Sequence, residues 1–201
     1  MPPEPEIRLP AAADAELALS LERAHRETQV LDRLAAVWAL LLAKCCLLQA
    51  AILRWDIPIR GLVYIWALSI ALGLLASWHY LRAHRADLTL VPVNRRVGTA
   101  LLLALLVLML GAAHATFTLG LASPSALAAM ACALGAVHAL AQGALRRRPE
   151  PVLGALVWWA SAWQALRQPP ALALACVGVG LLLGQALPGL ALVRAASRRR
   201  S

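Results

Sequence analysis

The sequence predicts an all-α integral membrane protein: six transmembrane helices forming three helical hairpins, both termini cytoplasmic, preceded by a short amphipathic helix. Three observations carry this. Six apolar stretches recur along the 201 residues, each near the length of about 20 that crosses a hydrocarbon core of about 30 Å. Hydrophobic residues make up 61% of the chain and charged residues 14%, against about half and a quarter in a soluble domain. Arginine also alternates in abundance from one connector to the next, as the positive-inside rule requires.

Residues 1–11 are rich in proline and are expected to lack regular structure. No apolar run precedes residue 34, so no cleavable signal is expected. Asp14 can cap a helix from Ala15. Leu17, Leu21, Ala24, Thr28 and Leu31 recur at helical spacing, while Glu22–Arg26 and Arg23–Glu27 are i,i+4 pairs on the wet side. Residues 1–33 are therefore a cytoplasmic arm. Its helix either lies on the membrane surface or a partner, or is a charged extension of the first span.

The transmembrane domain is 34–193, with spans at 34–53, 60–81, 97–119, 125–145, 151–167 and 171–193, and a basic tail at 194–201. Each span should be helical, because a helix closes its own backbone bonds in lipid. The apolar–polar alternation of barrel strands is missing. Pro188 should kink or loosen the last helix.

Orientation follows from the basic residues. The arm, connectors 82–96 and 146–150, and the tail hold fifteen arginines; the opposite connectors hold Arg54, Arg60 and Arg167. This places both termini in the cytoplasm and demands an even number of spans. It also accounts for the net charge of +9: the basic residues sit at span ends, so nucleic acid is not the expected partner. Trp38, Trp55, Tyr64, Trp66, Trp78 and Tyr80 fall near predicted interfaces, as an aromatic belt does. Trp158, Trp159 and Trp163 sit inside the fifth span, as a packing wedge or a ligand-stacking wall.

Small residues mark close helix contacts in lipid. They recur every four residues as Ala131, Gly135, Ala139 and Gly143 in the fourth span, and as Cys176, Gly180 and Gly184 in the sixth. Ala35, Ala39 and Ala43 form such a run in the first span, and Ser69, Gly73 and Ser77 in the second. Helix packing is assigned to Gly135, Ala139, Gly143, Gly180 and Gly184.

Lys44 is the one charge deep inside a span, and such a residue is a functional candidate by default. Ser69 and Ser161 lie at similar depth, so the three form a possible polar intramembrane site; the alternative is that Lys44 snorkels toward the cytoplasm. His79, His114 and His138 lie at different depths, which argues against one shared metal or haem. The four cysteines are expected to act as small apolar side chains. No nucleophile triad, phosphate loop or acidic metal pair is present.

In architecture and Ala/Leu/Arg composition the chain resembles small six-helix bacterial membrane proteins, without a motif that assigns a family. The expectation is a non-catalytic inner-membrane protein without cofactor or metal. It would act by association in the lipid bilayer, as a homo-oligomer or an accessory or regulatory subunit of a membrane partner. The alternative is a small-solute permease or channel with Lys44 near the substrate path.

Overall fold

The structure is a computed structural model that describes residues 11–58, 62–88, 92–146 and 149–191. Among these residues the regular structure is all helical, with no strand. The helices are α1 (Ala11–Arg54), α2 (Leu62–Ala83), α3 (Pro92–Phe117), α4 (Pro124–Arg146), α5 (Pro149–Ala165) and α6 (Pro170–Val179). A 3-10 turn spans Arg85–Leu88, and a π-helical stretch, Gly180–Ala186, continues α6. The proline-rich segment 1–10 and the basic tail 194–201 lie outside the described residues.

Four of the six helices are long and apolar enough to cross a membrane: Gln29–Arg54 within α1, Leu62–Ala83, Pro124–Ala144 within α4, and Pro170–Ala191. Helix α5 has 17 residues, and the described apolar part of α3 is Leu103–Phe117. These lengths are compatible with an integral membrane protein.

Local chemistry sets the boundaries. Pro92, Pro124, Pro149 and Pro170 each open a helix, where a missing N–H breaks no bond. Ser123 caps α4 by accepting the Ala126 N–H at 3.1 Å. Helix α1 ends where Asp56 turns left-handed (φ 48°) and the Ile57 N–H reaches back to the Ile52 carbonyl at 3.1 Å, a Schellman closure. Residues 14–33 and 34–53 belong to one unbroken helix of 44 residues. No glycine or proline between Ala11 and Arg54 offers a break.

Helix α6 is the hub. Helices α1, α4 and α5 all pack on α6 and its π continuation, while α2 leans on α1 and α3 on α4. A helix apolar on every side, and small on most, suits that central place. Sequence neighbours touch as hairpins, but the most extensive contacts join different hairpins: α4 with α5, and α1 with α6.

Trp158 of α5 locks the centre. Its indole is buried among Cys132, Ala136, Ala139, Ala155 and Ala162. Three glycines form its socket: an added Cβ would stand 2.6 Å from the ring at Gly135, 2.5 Å at Gly180 and 2.7 Å at Gly184. Ala139 and Gly143 are also buried. Gly178 faces the other way, where a Cβ would lie 2.7 Å from Leu47 of α1.

One expectation changes. The buried stripe on α1 is Ala36, Ala39, Ala43, Cys46 and Ala50, and Ala35 is exposed. Steps alternating three and four follow the 3.6-residue turn, whereas steps of four drift off the face. Before Pro188 the last helix widens into π geometry. Pro188 has no N–H and crowds the carbonyl four residues back, that of Gly184. Bonding shifts to five-residue closure, with the Leu187 N–H on the Leu182 carbonyl. The Gly184 carbonyl then lies against Gly154 of α5, where any Cβ would collide with it.

Gly184→Leu is expected to destabilise the protein in detergent by about 1–3 kcal/mol, the usual cost of overpacking, seen as a lower thermal midpoint. Gly111, where an added Cβ meets nothing within 4 Å, should accept leucine unchanged. Equal midpoints for the two variants would remove the Trp158 socket as the packing anchor.

Candidate functional site

The candidate site lies on the seam between α1 and α2, two antiparallel helices joined by a file of polar contacts. Trp66 Nε1 donates to Gln49 Oε1 at 2.8 Å. One level along, Lys44 Nζ donates to Ser69 Oγ at 3.4 Å. Beyond it, Trp38 Nε1 donates to Ser77 Oγ at 2.8 Å, and that hydroxyl donates to the Gly73 carbonyl at 2.6 Å. The Trp38 ring lies over Gly73, where a Cβ would come within 2.9 Å, so Trp38 packs across the seam as well as lying near an end of the span. Ser69 and Gly73 are the only buried residues of α2 among those described. Only 11% of its apolar window is buried, against 39% for α1. Polar bonds rather than contact area hold α2 to the bundle.

Lys44 sits mid-way along the apolar part of α1, ten residues before Arg54, about 15 Å along the axis. It is exposed despite its contact with Ser69, and 3.4 Å is beyond the usual length of a hydrogen bond. The nearest acids along the chain are Asp32 on α1 and Asp56 just past its end, each twelve residues away, about 18 Å for a helical rise. Helices α2, α3, α4 and α6 contain no Asp or Glu, and α5 has only Glu150, in its first turn. Of the three residues expected at one depth, the structure brings Lys44 and Ser69 together. Ser161 is buried on α5, which packs on α4 and α6 rather than on α1.

The other candidates are dispersed. His79 and His114 are exposed and His138 is half-buried, on three different helices. Among the described residues, no three of His, Cys, Asp and Glu are grouped to hold a metal ion. Cys45, Cys46 and Cys132 are buried as free thiols, with Cys176 half-buried. Of the three tryptophans of α5, Trp158 is the wedge, whereas Trp159 and Trp163 face outward along a shallow apolar groove with Met130 and Ala133 of α4. Arg167 stacks over Trp163 at 4.4 Å, a cation–π contact at the end of the helix.

One buried acid escaped the sequence pattern. Glu27, placed on the wet side by its spacing, is 7% exposed, and its Oε2 has no hydrogen-bond partner among the described residues. Eleven residues beyond the Trp38–Ser77 rung, the antiparallel register brings Glu27 level with the Arg85–Leu88 turn, which packs on α1. Helical spacing alone does not reveal which elements pack on this part of α1.

No protein-family model matches the chain, and no curated protein or solved structure matches it.

The rungs should be energetically coupled. A double-mutant cycle of Gln49→Leu and Trp66→Phe, read by unfolding in detergent, is expected to give a coupling of about 0.6 kcal/mol, typical of polar contacts between membrane helices. Additive effects would mean that the 2.8 Å contact contributes nothing to holding α2.

Proposed function

We propose that the chain is a non-catalytic, multi-pass protein of a bacterial inner membrane that acts by association, as a homo-oligomer or as an accessory or regulatory subunit. In this reading all six helices span and both termini are cytoplasmic. The observation that carries it is how little of the outer helices the chain covers for itself. Helix α2 is held to α1 by polar bonds and buries only Ser69 and Gly73; α3 leans on α4. Helices attached by one side keep their other sides available to another polypeptide, and in lipid such contacts depend on packing and polar bonds.

The arginine asymmetry supports the orientation. The 17 residues of α5 reach about 26 Å, a mismatch that a bilayer absorbs by modest thinning. The alternative, a small-solute permease or channel with Lys44 on its path, is less well supported. A path through the bundle needs Lys44 to face inward, whereas Ala43 and Cys45 fill that side of α1 and Lys44 faces out.

Native mass spectrometry of the protein released from nanodiscs is expected to give a fixed multiple of 21.4 kDa, or that mass with a stoichiometric second protein. A bare monomer that supports solute flux in liposomes would reverse the choice. For orientation, single cysteines at Ser197 and Pro58, in a chain with its four native cysteines replaced by alanine, should react with an impermeant maleimide from opposite sides of the membrane.

A further inference from the structure

We infer that Lys44 is the docking point for a transmembrane helix of a different polypeptide, one that carries an Asp or Glu carboxylate at mid-depth. The inference rests on the association reading and specifies the partner. Val37, Leu40, Lys44 and Leu48 are all exposed. Their steps of three and four put them on one stripe of α1. The stripe is apolar except at its middle, where it presents an ammonium group.

Among the described residues that ammonium meets no carboxylate. Its bond is to a neutral hydroxyl at 3.4 Å, and a charge in hydrocarbon is tolerated when it is paired or reaches water. The distance of about 15 Å to the end of the apolar stretch exceeds twice the length of a lysine stem, so snorkelling falls short. A second copy of this chain cannot supply the counter-charge, because the ten acidic residues all lie outside the six apolar stretches. A carboxylate from another chain can. Lys44 would donate to it while keeping Ser69, and the leucines and valine on either side would pack against the incoming helix. Such a pair also fixes depth and register, which apolar contact alone does not.

The test uses the full chain in phosphatidylcholine vesicles, with energy transfer to a synthetic transmembrane helix of about 20 Leu and Ala residues bearing one central Asp. A matched helix with Leu at that position is the reference. The Asp helix is expected to bind about tenfold more tightly than the Leu helix, a factor in the range of polar contacts between membrane helices. Lys44→Met should erase the preference. Lys44→Asp should transfer it to a helix with a central Lys, and this gain of binding cannot come from misfolding. Equal binding of the Asp and Leu helices by the unaltered chain, or a preference that survives Lys44→Met, would overturn the inference. If the preference is missing while native masses still show multiples of the chain, association stands and the Lys44 pairing falls. If the preference is missing and the protein is a bare monomer, both fall.

Discussion

Trp158 in its glycine socket is the contact on which the rest of the bundle depends. In a bilayer, the setting proposed for these apolar helices, there is no hydrophobic drive between them, so close approach of backbones and dispersion contact must hold them together. A large rigid ring can bring three helices together only if the facing positions lack side chains. Gly135, Gly180 and Gly184 provide that absence from two helices at once. The same logic explains Gly154, which receives the Gly184 carbonyl that Pro188 cannot bond. The π-helical stretch is thus continuous with the packing. It aims a carbonyl at a glycine and carries Gly180 and Gly184 against an indole.

The α1–α2 seam is built differently. Two indoles and the Lys44 amine donate across it at intervals, and little surface is buried along it. The core resembles a jigsaw, in which each residue is fixed by volume; the seam resembles a hinge plate, fixed by a few bonds. Association sites are drawn from the second kind of surface, because a tightly filled core has no room for a new partner. Lys44 stands on that seam, turned outward and set in an apolar stripe, so the chemistry of the chain and its loosest packing coincide.

Much of this was legible without coordinates. Apolar run length gave the helices, and four-residue steps of Ser69, Gly73 and Ser77 gave the face that α2 turns to α1. Other features were not legible. Ala36 rather than Ala35 lies inside, because alanine is too common on α1 for its spacing to choose a face. Gly154 stands alone in its helix and carries no periodic signal. Glu27 is buried by tertiary packing that its helical spacing does not show. Lys44 and Ser69 could be matched by depth, but so could Ser161, and depth does not say which helices are neighbours.

Composition, periodicity and charge alternation act along a single chain direction, and they suffice for helical class, apolar length and the uncompensated lysine. The choice of α6 as hub, the pairing of α1 with α6 and α4 with α5, and the outward aspect of Lys44 belong to the tertiary structure alone. Apolar helices rich in alanine and leucine are nearly interchangeable by composition. The fit of one indole into three glycines, and of one carbonyl against a fourth, sets this arrangement apart from others the chain could attempt.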